Sequence, residues 1–267
     1  MARSFIATSV SRGLIARFQI THERRRISVF SGPPGIGKTT AIDEWRSKRP
    51  AEIVVVKLGR QDAREGLVLR HMLEALTMMR GEAHSGFAPG LWELRRKLYV
   101  ALCDRAGLDF QAARRNHYPP EKIPLLTIVF DEAQNLSRQA IEALRYWNDD
   151  DRCSGPFPVG MVFVGNSEFS LATSHNTPSV ISAAVADRAL YVQTVGYEEL
   201  SDDDLSAVIR ANGIDDPPAA AALVRCFSAP RSVRSLRRVL DLVEEVREAA
   251  DGGVVTAQTI GMVLIPR

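Results

Sequence analysis

Gly32-Pro33-Pro34-Gly35-Ile36-Gly37-Lys38-Thr39, followed by Thr40, has the spacing G-x-x-x-x-G-K-[ST]. The chemistry this pattern suits is the gripping of a nucleoside triphosphate. Glycines let the backbone wrap a phosphate without Cβ clashes, and successive N–H groups at a helix N-terminus point at the anion. Lys38 is spaced to reach the β- and γ-phosphates, and the Thr39 hydroxyl to take a place on Mg2+. The competing reading is a glycine-rich turn that binds nothing. Two further segments carry chemistry. The apolar run Leu125–Asp131 ends in Asp131-Glu132. Asp131 there would hold Mg2+, mostly through a bound water, and Glu132 would polarise an attacking water as general base. An acidic helix cap would present the same two residues without chemistry, but the phosphate-binding pattern upstream favours the catalytic reading. Met161-Val162-Phe163-Val164-Gly165 is followed by Asn166, an amide at the end of another buried run. At that edge Asn166 would hydrogen-bond the γ-phosphate or place the water; a plain Gly-Asn turn is the alternative.

These residues need a scaffold that brings strand ends together. Five short apolar or β-branched runs read as strands: Ile27–Ser31, Ile53–Leu58, Leu125–Asp131, Val159–Gly165 and Leu190–Val195. Most lack strict alternation, as strands buried on both faces of a parallel sheet do. Helical stretches separate them at Thr39–Arg49, Gly66–Arg80, Leu91–Ala106, Ser137–Asp149 and Ser179–Arg188. The alternation predicts an α/β fold with a central parallel five-stranded sheet flanked by helices. Beyond Val195 the pattern is helical. Ser201 caps a helix with acids in its first turn, Gly213 ends it, and Asp216-Pro217 starts another. Arg231–Ala250 reads as a long third helix, and Thr256 caps a short last one. The reading is a lead-in over 1–26 with some helix, an α/β core over 27–198 and a small all-helical domain over 199–267.

Composition sets the outer bounds. The chain has 267 residues, a formal net charge of +2, 25% charged and 45% hydrophobic residues, as an ordinary globular protein does. That excludes a disordered chain and a disulfide-dense miniprotein. Cys103, Cys153 and Cys226 read as free thiols, and the five histidines offer no zinc-ligand spacing. The N-terminus lacks a signal-peptide core, and no apolar run is long enough to span a bilayer. The expected location is the cytoplasm, with no membrane contact. Trp45, Trp92 and Trp147 fall in helices and are expected in a core or interface.

The three motifs, in this order, resemble AAA+ ATPases. Asp131-Glu132-Ala133-Gln134-Asn135-Leu136 is similar to the segment found in the clade of DNA-transposition ATPases that contains MuB, TnsC, TniB and IstB, and also the ExeA-type secretion ATPases. The resemblance covers most of residues 27–245. It implies that the helical domain 199–267 is a lid with ATP and Mg2+ bound in the cleft between it and the core, and an ATP-hydrolysing enzyme whose homo-oligomer, a ring or a helical filament, assembles on duplex DNA. It also implies target selection, recruitment or activation of a transposase, with or without a target-selection protein, and disassembly on hydrolysis. By the same resemblance Arg188, before the last core strand, is the arginine finger that reaches a neighbouring subunit, and Arg231 after Ala229-Pro230 contacts the γ-phosphate in cis. Larger members carry an N-terminal DNA-binding helical domain for which 1–26 is too short, so DNA contact is expected from the core. The rivals are a secretion or cell-envelope ATPase, a nucleotide-gated scaffold and a helicase loader.

Four basic clusters are candidates for sequence-independent phosphate contact: Arg24-Arg25-Arg26, Arg95-Arg96-Lys97, Arg114-Arg115 and Arg231–Arg238. In the last of these, helical period places Val233, Leu236, Leu240 and Val243 on one face and Arg231, Arg234 and Arg238 roughly opposite.

Overall fold

The computed structural model describes residues 5–60, 64–77, 90–115, 122–148, 158–167, 181–228, 233–251 and 253–264. Five strands, β1 (Ile27–Ser31), β2 (Ile53–Lys57), β3 (Thr127–Asp131), β4 (Gly160–Gly165) and β5 (Ala189–Thr194), form one sheet in the order β2-β3-β4-β1-β5. Every pairing is parallel. The predicted strands therefore all form, within two residues of the expected ends.

The chain divides into two compact units, one built on this sheet (Ile15–Ser31 and Ile42–Thr194) and one comprising Met1–Leu14, Gly32–Ala41 and Val195–Arg267. In the sheet unit both faces are buried, which is why the strands read as continuous apolar runs. Ile27, Val29, Ile128, Phe130, Met161 and Phe163 point to one face. There they pack with α3 (Glu65–Thr77), α4 (Leu91–Arg105), α6 (Arg138–Arg145) and α7 (Ala183–Arg188). Phe30, one residue out of phase with Val29, points to the other face. Its ring lies 5.1 Å from Phe18 of α1 (Ser9–Glu23), and Phe18 lies 5.4 Å from Trp45 of α2 (Lys38–Lys48). The short α5 (Phe110–Arg114) follows α4, and Asp109 caps it by accepting the Ala112 N–H.

The second unit carries α8 (Asp202–Ala211), α9 (Pro217–Ser228), α10 (Leu236–Ala249) and α11 (Ala257–Leu264). Their apolar faces meet around Leu205, Ile209, Leu223, Val239, Val243 and Ile260. The caps lie where the sequence puts them. Ser201 accepts the Asp204 N–H while Asp204 accepts the Ser201 N–H; Asp216 accepts the Ala219 N–H; Thr256 accepts the Thr259 N–H; Gly213 closes α8. Asp204 also accepts the Ser9 N–H at 2.9 Å. Burial opposes its ionisation, but these N–H donors together prevail and hold its carboxyl below the usual range.

Two expectations are corrected. The last long helix starts at Leu236, not at Arg231: Ser235 is extended, and the Leu236 N–H is bound by Gly35 O rather than by a preceding turn. Arg231 itself lies outside the described residues. The buried face of α10 is Val239, Val243 and Val246, and Arg234, off the helix, is bound to Asp202 and Leu200 O. Of the tryptophans expected in a core or interface, Trp45 and Trp147 are core residues, and Trp92, in the first turn of α4, is 76% exposed. Cys103 and Cys226 are free thiols as expected, Cys153 lying outside the described residues. Burial pushes Cys103 up to about 12, which makes it a core residue and not a nucleophile.

A polar cluster sits under the sheet. The fully buried His22 ring meets Thr127 Oγ1 at 2.9 Å through Nδ1 and Glu52 Oε2 at 3.0 Å through Nε2. A carboxylate only accepts, so Nε2 carries the proton and Nδ1 accepts from the threonine hydroxyl. Burial lowers the His22 pKa below its ordinary 6.5, against the raising effect of Glu52. The unfolded chain therefore takes up this proton first. The stabilisation is complete above 6.5 and is lost as pH falls through the lower folded value. Urea midpoints measured from about pH 8 to about pH 5 are expected to fall on the acid side, and less so in His22→Gln. The same pH dependence in both proteins would exclude this assignment.

Candidate functional site

Parallel register decides which residues stand together at the carboxyl edge of the sheet. Lys57 pairs with Asp131, Asp131 with Val164, Gly165 with Ser31, and Ser31 with Thr194. The last residue of β1 and the Asp131 end of β3 are thus two strand spacings apart, about 10 Å. The residue after Ser31 in the chain is Gly32, the first of the glycine-rich motif.

Within the second unit that motif forms a tight loop leading into α2. Gly35 and Gly37 have φ of 73° and 100°, a region that L side chains rarely adopt. Lys38, the first residue of α2, donates through Nζ to Gly32 O at 2.7 Å and Pro33 O at 2.8 Å. Its ammonium thus sits over the loop's own backbone. Ile36 is fully buried. Pro34 O accepts the Tyr197 hydroxyl at 2.7 Å, and Gly35 O accepts the Leu236 N–H at 2.8 Å. Neither Tyr197 nor Leu236 was legible as a loop partner, because nothing local marks a contact made across more than 150 residues. Thr39 and Thr40 occupy the first turn of α2.

Within the sheet unit Asp131 is buried at the end of β3, and its Oδ1 accepts the Glu132 N–H at 3.1 Å. Glu132 is exposed and left-handed, at φ 60° and ψ 39°. A non-glycine residue in that region stores strain and is held there by its surroundings. Those surroundings are a single 3-10 turn, Ala133–Asn135: the Asn135 N–H returns to Glu132 O at 3.0 Å, and Asn135 Nδ2 donates to Leu58 O at 3.0 Å. Asn166 follows β4, and its N–H donates to Gln134 Oε1 at 3.0 Å. The structure therefore brings Asp131, Glu132 and Asn166 to one edge. Gln134 joins them, a residue whose part the sequence did not signal. Arg188 ends α7 immediately before β5, and its carbonyl accepts Arg26 Nη2 at 2.9 Å.

The basic clusters fare differently. Arg95 pairs with Glu65 at 2.6 Å and Lys97 with Glu93 at 3.2 Å, so that cluster is largely neutralised. Arg25 donates to Ile123 O. Arg24, Arg26, Arg237 and Arg238 are exposed. Among the described residues no group of three or more potential ligands gathers to hold a metal, and no helix is long and apolar enough to cross a membrane.

Sheet order, loop and strand-end acids define a P-loop α/β domain. Residues 21–171, more than half of the chain, match the model of the AAA domain, and the chain belongs to that family. No curated protein matches the sequence significantly. Among solved structures, Cdc6p of Pyrobaculum aerophilum is similar with a TM-score of 0.61 at 13% identity, over 96% of this chain and 68% of its own. Thermotoga maritima RuvB, a Holliday junction branch migration motor, gives 0.55 at 14% identity, over 97% of this chain and 69% of its own. Drosophila ORC bound to DNA gives 0.55 at 15%, over 95% and 59%. At such identities the likeness is one of fold, and the fold is that of AAA+ ATPases.

A Cβ at Gly35 would collide with the Ser235 hydroxyl and come within 3.1 Å of Arg237 Cβ, besides its unfavourable φ. Gly35→Ala is expected to cost about 1–3 kcal/mol of stability, read as a lower urea midpoint. Gly66→Ala, whose Cβ would meet nothing within 4 Å, should not lower it. Equal midpoints for both variants would show that the loop conformation is not the one described.

Proposed function

We propose that this protein is a DNA-binding AAA+ ATPase that assembles as a ring or filament on duplex DNA in its ATP-bound state. There it selects target DNA and recruits or activates a transposase, with or without a target-selection protein, and hydrolysis drives disassembly. The observation that carries the ATPase reading is the buried Asp131 followed by a left-handed Glu132 at the end of β3, in an AAA-family chain with a complete phosphate-binding loop motif. The DNA reading draws on the exposed Arg24, Arg26, Arg237 and Arg238 and on fold relatives described as a Holliday junction motor and as bound to DNA. The transposition role draws on the Asp131–Leu136 segment.

In this reading Gly32, Pro33, Pro34, Gly35, Ile36, Gly37, Lys38, Thr39 and Thr40 hold the phosphates of ATP, with Lys38 on the β- and γ-phosphates. The Thr39 hydroxyl and the Asp131 carboxylate are hard oxygen donors of the kind Mg2+ takes, and they are the residues that would hold it. When bound, that ion neutralises charge on the phosphates. Glu132 draws a proton from the attacking water; a bond forms from the water oxygen to the γ-phosphorus, the bond to the β–γ bridging oxygen breaks, and ADP leaves with phosphate. Asn166 places that water or the γ-phosphate. Arg188 of a neighbouring protomer offsets developing charge, and Arg231 does so in cis. A finger supplied in trans couples hydrolysis to assembly. Residues 27–198 serve as the ATPase core and 199–267 as its lid, in a cytoplasmic protein.

Lys38→Ala is expected to lose ATP binding and, with it, assemblies on duplex DNA seen by electron microscopy. Glu132→Gln should bind ATP, lower kcat by about 100-fold or more and hold the assemblies together. Undiminished DNA affinity and unchanged filaments in Lys38→Ala would overturn nucleotide-gated assembly. No duplex binding with ATP, a slowly hydrolysed analogue or ADP would remove the DNA role and leave an ATPase.

A further inference from the structure

The Gln134 side chain spans two groups of the candidate site. Its Oε1 accepts the Asn166 N–H at 3.0 Å, and its Nε2 donates to Glu132 Oε2. The orientation of the amide follows from chemistry: a backbone N–H can only donate and a carboxylate only accept, so each end of Gln134 has one possible partner. Asn166 directly follows β4, which is held in register by β1 on one side and β3 on the other. The backbone of Glu132 is fixed independently, by Asp131 Oδ1 on its N–H and by the Asn135 turn on its carbonyl. Its side chain, by contrast, is exposed and has three rotatable torsions. The Gln134 amide is what gives that carboxylate a direction.

We propose that Gln134 is a positioning residue for the general base. It holds one oxygen of Glu132, leaves the other for water, and ties the aim of the carboxylate to the Asn166 end of β4. A displacement at Asn166 then moves the base. The inference rests on the reading of Glu132 as the base. A carboxylate fixed within a fraction of an ångström of the attacking water lowers the barrier; one that samples several rotamers spends little time there, and misplacement near 1 Å costs up to about 100-fold.

The test uses the full chain, steady-state ATP hydrolysis, the affinity of a fluorescent ATP analogue, and four proteins: wild type, Gln134→Leu, Gln134→Glu and Glu132→Gln. Gln134→Leu is expected to keep the analogue affinity and the KM for ATP within about twofold while kcat falls about 10-fold or more. Gln134→Glu has nearly the same shape and keeps an oxygen for the Asn166 N–H, so any structural part played by Gln134 survives. It replaces the donor by a second carboxylate facing Glu132, and kcat should fall at least as far. This variant carries the test if Gln134→Leu does not fold. Wild-type or raised kcat in Gln134→Glu, with Glu132→Gln inactive, would overturn the positioning role and leave Glu132 as the base. Wild-type hydrolysis by Glu132→Gln would overturn both.

Discussion

In a parallel sheet buried on both faces, a polar side chain within a strand needs a hydrogen-bond partner inside the core, as Ser28 of β1 finds in Thr21, so polar groups stand most easily where a strand ends. This constraint organises the sheet unit. The interiors of β2, β3 and β4 are Val, Ile, Phe and Met, stacked closely enough that the Phe130 and Phe163 rings lie 4.9 Å apart. Two polar groups mark its rims. At the amino-terminal rim His22, Thr127 and Glu52 satisfy one another. At the carboxyl rim the register sets Asp131 beside the end of β4. A slip of one residue in any pairing would exchange the side chains on the two faces of a strand and break their fit to the helices packed there, so the same packing that stabilises the sheet fixes the spacing of the residues at its rim.

The glycine-rich loop is governed differently. Its carbonyls are taken up within their own unit by Lys38, Tyr197 and Leu236. Gly35 and Gly37 both take positive φ, and Gly35 allows the close approach of Ser235 and Arg237 that a side chain would block. Shape at the loop thus depends on backbone freedom and long-range partners, whereas shape at the sheet rim depends on packing.

That contrast explains what could be read from sequence. Strands β1 to β5 were legible because buried apolar runs bounded by turns have few other uses, and the loop was legible because its spacing is tied to one function. The caps at Ser201 and Asp216 were legible because they are local. The start of α10 was not. Helical period runs on through Val233 and Arg234, but the backbone of Leu236 is claimed by Gly35, and Arg234 by Asp202. Trp92 shows a related limit: a tryptophan on a helix reads equally as core or interface until the neighbours that would cover it are known. Gln134 is the sharpest case. Its two partners lie at separations of 2 and 32 residues, and no pattern of residue types announces a side chain that joins a local turn to a distant strand.

The hydrogen bond from Leu236 to Gly35 has a dynamic corollary. The first amide of a helix ordinarily faces water and exchanges its hydrogen freely. Here it is satisfied by the phosphate-loop motif, so solvent reaches it when that contact opens. One backbone proton at the head of α10 is therefore a built-in clock for the breathing of a loop some two hundred residues earlier in the chain.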